Sequence, residues 1–156
     1  MFTKEITYTD FAGETRTEKH QFNMTKSEVV EWQYSVNGGI NKLFEKIVND
    51  GDQASLVKLV KDLIRRSYGE VSLDGKKFEK KRNGVPLFDD FEASNAYDVL
   101  YMELITDEKA AADFINGLMP RELVEEMARQ AELAKKNNQN LNVAAITDAA
   151  NDTRRG

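Results

Sequence analysis

The chain has 156 residues, with 22 lysines and arginines against 27 aspartates and glutamates, and therefore a formal net charge of −5. It contains no cysteine, which excludes disulfides and thiolate metal sites, and its single histidine excludes metal sites built on histidine pairs. Because 40% of the residues are hydrophobic, the chain is able to bury a core, and its length is typical of one domain with a short tail.

The first 23 residues are expected to form a β-hairpin, with strands at about 2–9 and 15–23. Ile6 and Tyr8 are typical strand residues, and the DFAGE segment supplies a turn in which Gly13 takes a positive φ. The face with Ile6, Tyr8 and Phe22 is the one expected to pack. Since an isolated two-stranded hairpin is marginally stable in water, we expect either the helical body or a neighbouring subunit to cover it.

Three helices are predicted after the hairpin. Thr25 and Glu28 form a capping box at the start of the first helix, and Gly38-Gly39 is expected to end or bend it. The second helix ends near Gly51. The third helix has the broadest apolar face, with basic residues in its last turn and Gly69 as its expected C-cap.

The remaining elements complete a mainly α fold. Asp74-Gly75, between apolar positions, predicts a small hairpin over residues 71–78, and a loop is expected over 80–84. Three further helices are predicted, one from about Pro86 to residue 105, one from 107 to 118 and one from 122 to about 137. The predicted architecture is an N-terminal β-hairpin followed by a compact bundle of about six helices, with a possible small second hairpin.

We expect residues 1–137 to form a single domain of this architecture. Beyond Asn138 the composition changes to asparagine, glutamine, alanine, aspartate and threonine, which predicts a flexible C-terminal tail over residues 138–156. The apolar stretches are short and no signal-peptide pattern is found, so the sequence predicts a cytoplasmic protein.

The sequence contains no pattern of a catalytic, cofactor-binding or metal site. His20 lacks a neighbouring nucleophile and carboxylate, and it is expected to be a solvated strand residue. The NDGD segment at 49–52 lacks the glycine and glutamate spacing of a calcium loop, and Gly38-Gly39 lacks the lysine of a phosphate loop. We therefore predict a protein that is not an enzyme and that uses no cofactor and no metal.

Charge is distributed unevenly along the chain. Residues 58–82 include nine basic and four acidic side chains, whereas residues 89–126 include eleven acidic and two basic ones. This asymmetry suits subunits that meet head to tail. The basic segment 76–82 contains a single aromatic residue, which favours a solvated loop or a patch facing another subunit over a nucleic-acid site.

Several short segments together resemble the tail assembly chaperones of long-tailed bacteriophages. They lie within about residues 1–127, and none is a catalytic signature. In chain order they read FTKEITYTDFAG from residue 2, FNMTKSEV from 22, IRRSYGE from 64, SLDGKKF from 72, AY to MELITD over 96–107, and AAADFING from 110 followed by MP at 119.

The resemblance implies an assembly factor. Members of that family coat the long helical tape measure protein before the tail tube polymerises and help to recruit tail tube subunits, the latter through a longer form. They act in the host cytoplasm and are absent from the mature virion. Many are made in two lengths by programmed frameshifting, and this chain is similar to the short form, with Lys135-Lys136 suited to a slippery run of adenines.

One candidate partner-binding surface follows from the last predicted helix. Leu123, Val124 and Met127 lie along or beside its apolar stripe, and methionine-bearing faces adapt to varied partners. We hypothesise that these residues bind the tape measure protein or a second copy, with packing in the core as the alternative. The alternative function is a small nucleic-acid-associated phage protein that uses the basic loop at 76–82.

Overall fold

The computed structural model describes residues 1–123, 125–126, 129, 132–133 and 135–140. The chain forms two compact units, Met1–Pro120 and Arg121–Gly156. In the second unit, the described residues between 121 and 140 are helical. The boundary predicted at residue 137 and the flexible tail predicted over 138–156 stay predictions.

The first unit combines an N-terminal β-hairpin with six helices and four further short strands. The strands are β1 (Phe2–Thr9), β2 (Thr15–Phe22), β3 (Tyr68–Val71), β4 (Phe78–Glu79), β5 (Lys81–Arg82) and β6 (Val85–Pro86). The helices are α1 (Lys26–Ser35), α2 (Gly39–Asp50), α3 (Gln53–Ser67), α4 (Leu87–Glu92), α5 (Asn95–Thr106) and α6 (Glu108–Leu118). This architecture confirms the predicted fold class.

The two predicted hairpins belong to one antiparallel sheet of four strands, in the order β1-β2-β3-β4. β1 and β2 pair along their whole length, from Phe2 opposite Phe22 to Thr9 opposite Thr15. β3 then adds to the base of the first hairpin, where Gly69 lies opposite Gln21. The first hairpin therefore gains a third strand, a pairing that the sequence analysis does not predict.

Side-chain hydrogen bonds cap the starts of α1 and α3, and the capping box predicted for α1 is confirmed. The Thr25 hydroxyl accepts a bond from the Glu28 amide at 3.3 Å, and the Glu28 carboxylate accepts one from the Thr25 amide at 2.8 Å, which completes the capping box of α1. Asp52 caps α3 by accepting a bond from the Ser55 amide at 3.1 Å. Before it, Gly51 ends α2 with a φ of +62°.

The predicted C-cap at Gly69 is wrong. α3 ends at Ser67 and the chain enters β3 directly, because Tyr68 already has extended dihedral angles, φ −66° and ψ 134°. Gly69 lies in the sheet and is buried there. A glycine after a basic helix end is typical of a helix terminator, but here the strand partner determines its conformation.

The long helix predicted after Pro86 is also wrong, since α4 and α5 are separate helices. Ala93 and Ser94 divide them, and the Ser94 hydroxyl donates to the Phe91 carbonyl at 2.7 Å. Serine side chains compete for backbone groups in this way at helix ends. The predicted loop at 80–84 instead contains β5, which pairs with β6 directly after it through a turn at Asn83 and Gly84, where φ is +52° and +78°.

The core lies between the inner face of the sheet and the helices. α5 and α6 pack against β1, on which Ile6 is buried. Phe22 of β2 and Phe114 of α6 lie in the same core with 5.2 Å between ring centroids. The helical body thus covers one face of the hairpin, which is the first of the two alternatives expected from the sequence. Among the described residues, no helix is long and apolar enough to cross a lipid bilayer.

Candidate partner-binding surfaces

His20 is packed among aromatic rings and is not the solvated residue expected from the sequence. Its side chain is 11% exposed, and its ring centroid lies 4.7 Å from that of Phe91. The Tyr68 hydroxyl lies 3.2 Å from His20 Nδ1. The buried Nε2 has no hydrogen-bond partner among the residues that the structure describes, and it lies 3.6 Å from a carboxylate oxygen of Glu18. His20 is not solvated because Phe91 of α4 covers this face of β2.

The environment of His20 favours the neutral imidazole. Burial lowers its pKa from the usual 6.5, against the opposing effects of the Glu18 and Glu70 carboxylates. Burial also raises the pKa of Tyr68 to about 12, so its hydroxyl stays protonated near neutral pH. In the part of the chain that the structure describes, no group of acidic or histidine side chains is suited to hold a metal ion.

We expect the protein to lose stability as the pH falls below about 6.5, because the unfolded chain binds a proton at His20 that the folded chain disfavours. The contribution of His20 to stability is complete at a pH above its pKa in the unfolded chain. It decreases as the pH falls toward the lower pKa of His20 in the folded chain. Urea unfolding at pH 7.5 and 5.5 measures this loss of stability. The His20→Gln variant should lose less stability between these pH values, and an equal loss in both proteins would contradict the prediction.

The basic segment 76–82 is partly neutralised by the fold. Lys80 pairs with Glu28 of α1 at 2.7 Å, and Arg82 pairs with Glu70 at 2.9 Å and with Glu79 at 3.6 Å. Two of its cations therefore face carboxylates of the same chain. Lys80 is 24% exposed and is held in its pair, whereas Arg82 is 56% exposed and its pairs contribute little free energy, so of these two cations only Lys80 is withdrawn from contact with phosphates.

An open apolar groove of about 470 Å³ lies between α1, α2 and α3. Its apolar lining is formed by Trp32 of α1, Val36 directly after α1, Leu43 of α2, and Val57 and Leu59 of α3. Trp32 and Leu59 are buried, whereas Val57 is 39% exposed. The groove is therefore a concave apolar surface of unit 1 with its floor fixed in the core.

One wall of the groove is cationic. Lys58, Lys61 and Arg65 line it at three- and four-residue spacing on one face of α3, and the Asp62 carboxylate lines it as well, so the charged lining has three cations against one anion. Lys61 pairs with Glu92 at 2.9 Å and Arg65 with Asp62 at 2.8 Å, but the two cationic side chains are 54% and 60% exposed. Exposed ion pairs of this kind contribute little free energy, so these cations are able to exchange partners.

The predicted partner-binding residues lie in the second unit. Leu123 is helical and half-buried. Val124 and Met127 lie outside the described residues, so the proposed surface formed by these three side chains stays a prediction.

The sequence analysis does not single out the groove. Leu43 and Val57 each lie on the apolar face of a helix, a pattern that indicates burial, yet neither side chain is fully buried in the structure. A usable signal is present on α1, which has large apolar residues on more than one face: Trp32 is buried, whereas Tyr34 is 86% exposed. A helix with apolar residues on several faces has more apolar surface than its own core needs.

Comparison with known proteins is consistent with the resemblance carried by the short segments. The sequence matches a family model described as phage tail assembly chaperone over residues 1–155. No curated protein and no solved structure matches the chain. The family match covers both compact units, and it extends beyond the segments within residues 1–127.

Proposed function

Because the chain belongs to the phage tail assembly chaperone family, we propose that it binds and coats the tape measure protein during tail morphogenesis. The observation that carries this proposal is the family match over residues 1–155. The protein acts as a non-enzymatic assembly factor in the host cytoplasm and leaves before the virion is mature. Recruitment of tail tube subunits is assigned to a longer, frameshifted form.

The proposal assigns tape measure binding to the helical segment that begins at residue 121. Its described residues include Leu123, and the sequence adds Val124 and Met127 next to it. Arg121 pairs with Glu125 at 3.3 Å, and Arg129 with Glu126 at 2.9 Å, so charged side chains accompany the apolar ones. An amphipathic helix of this composition is suited to cover an apolar stripe on another helix while the complex stays soluble.

The Leu123→Asp, Met127→Asp double variant tests this surface. We expect it to lose tape measure binding by at least about tenfold, because two charges would enter an apolar helix contact. Co-purification of the tape measure protein with the tagged chaperone, followed by a titration, measures the loss.

The matched control is Leu133→Asp, which introduces the same charge at a described helical position that is 60% exposed. It should bind as the natural chain does. Circular dichroism and thermal unfolding establish that all variants fold. Unchanged binding by a folded double variant would reject this surface, and no binding by the natural chain would reject the proposed function.

A further inference from the structure

The helical body reaches the end of β1, where the Asn95 side chain donates to the Thr9 carbonyl at 2.8 Å, and the turn at residues 10–14 follows this contact. Thr15, Arg16 and Thr17 of β2 are all exposed, so both faces of the strand meet solvent there, whereas Phe22 at its other end is fully buried. At the turn, Phe11 is 82% exposed. A single exposed apolar residue needs no explanation, but this one lies in the turn of a hairpin whose strands are paired along their whole length.

The turn holds Phe11 in a fixed conformation. The Asp10 carboxylate accepts hydrogen bonds from the amides of Ala12 and Glu14, both at 2.9 Å. Gly13 has a φ of +87° and donates to the Asp10 carbonyl at 3.0 Å. These bonds order the turn in the isolated chain, so a partner that binds Phe11 has little backbone entropy to remove.

The turn is also acidic. Asp10 and Glu14 flank Phe11, and residues 10–14 contain no basic side chain. Arg16 pairs with Asp10 and lowers the pKa of that carboxyl, which keeps it ionised. No ion pair of Glu14 is found among the described residues.

The groove between α1, α2 and α3 complements this turn in shape and in charge. Its volume of about 470 Å³ admits an aromatic ring, and its lining from Trp32 to Leu59 is largely apolar. Its cationic wall has the charge opposite to that of Glu14. No residue of β1 or β2 lines the groove, so the turn and the groove are separate surfaces of one unit.

We propose that the hairpin turn of one copy of this chain inserts Phe11 into the α1–α3 groove of a second copy, with Glu14 facing Lys58 and Arg65. Because the two surfaces differ, the contact is heterologous, and repeating it builds an open chain of subunits or a closed ring. It gives the exposed turn a binding partner, and it uses the apolar groove that unit 1 leaves uncovered. The inference concerns the chain alone and does not depend on tape measure binding.

The test is self-association of the purified full-length chain. Sedimentation velocity over a range of concentrations should show reversible oligomers that weaken as salt is added. Phe11→Asp and Val57→Asp should each weaken association by at least about thirtyfold, as expected for an anchor residue in an interface. Phe11 is 82% exposed, so Phe11→Asp should keep the thermal stability of the natural chain, whereas Val57 is 39% exposed and Val57→Asp should lose some stability; circular dichroism establishes that both variants fold.

A mixture of the two variants distinguishes this interface from others. Phe11→Asp keeps an intact groove and Val57→Asp keeps an intact turn, so an equimolar mixture should form a heterodimer that neither variant forms alone. Leu73→Asp is the matched control, because Leu73 is a fully exposed residue at the turn of the other hairpin and should associate normally. A natural chain that stays monomeric, a Phe11→Asp variant that associates normally, or a mixture that stays monomeric would each overturn the proposal.

Discussion

Replacing Phe22 with alanine is expected to lower the free energy of unfolding by about 3–5 kcal/mol, which is a large part of the stability of a typical domain. Phe22 is fully buried at the end of β2, where the sheet meets the helices. Four aromatic rings surround it, at centroid distances of 5.2 Å for Phe114, 5.6 Å for Tyr68, 6.1 Å for Phe91 and 6.3 Å for Phe2.

The expected cost is large because these neighbours belong to four separate elements. Phe2 is on β1, Tyr68 on β3, Phe91 on α4 and Phe114 on α6, so no single element can move to fill the cavity without losing other contacts. Removing the ring therefore loses the transfer free energy of its atoms and also leaves a cavity, which adds to the destabilisation. Edge-to-face contacts with the neighbouring rings add to the loss.

Urea unfolding followed by circular dichroism measures this effect. Phe11→Ala is the matched control, because it removes the same side chain from a position that is 82% exposed and should change stability by less than about 0.5 kcal/mol. A loss below about 1 kcal/mol for Phe22→Ala would show that the aromatic cluster does not hold the sheet on the helices.

The sequence analysis succeeds where the structure depends on residues a few positions apart. Thr25 and Glu28 predict the start of α1, and Gly51 predicts the end of α2, because caps form within one helical turn. The Asp74-Gly75 turn is predicted for the same reason, and Gly75 takes a φ of +73°. Such signals require no knowledge of what the element packs against.

Prediction from the sequence fails for contacts between segments that are far apart along the chain. Gln21 pairs with Gly69 across 47 intervening residues, and nothing in either segment specifies the other. The burial of His20 has the same origin, since Phe91 and Tyr68 reach it from elements far along the chain. The groove is likewise a property of three helices together, so neither the apolar residues of α1 nor those of α3 predict it alone.

Gly69 provides the sharpest test of this distinction, and Gly69→Ala is expected to cost about 1–3 kcal/mol. Its φ is not in the left-handed region, so the backbone itself accepts a side chain. A Cβ there, however, would lie 2.5 Å from the Glu79 carbonyl oxygen and 2.6 Å from a ring carbon of Phe78. The carbonyl belongs to the backbone of β4, so relief requires β3 and β4 to separate.

Asparagine distinguishes the strand position from a helix cap. At a left-handed cap asparagine is tolerated better than alanine, which we expect at Gly51, where φ is +62° and no atom lies within 4 Å of the added Cβ. At Gly69 the larger asparagine should cost at least as much as alanine, because the obstacle is the neighbouring strand. Thermal unfolding of Gly51→Ala, Gly51→Asn, Gly69→Ala and Gly69→Asn shows which of the two substitutions is tolerated better at each glycine. If asparagine were tolerated better than alanine at both Gly51 and Gly69, Gly69 would act as a helix cap, as the sequence pattern alone indicates. The explanation that β4 excludes a side chain at Gly69 would then be wrong.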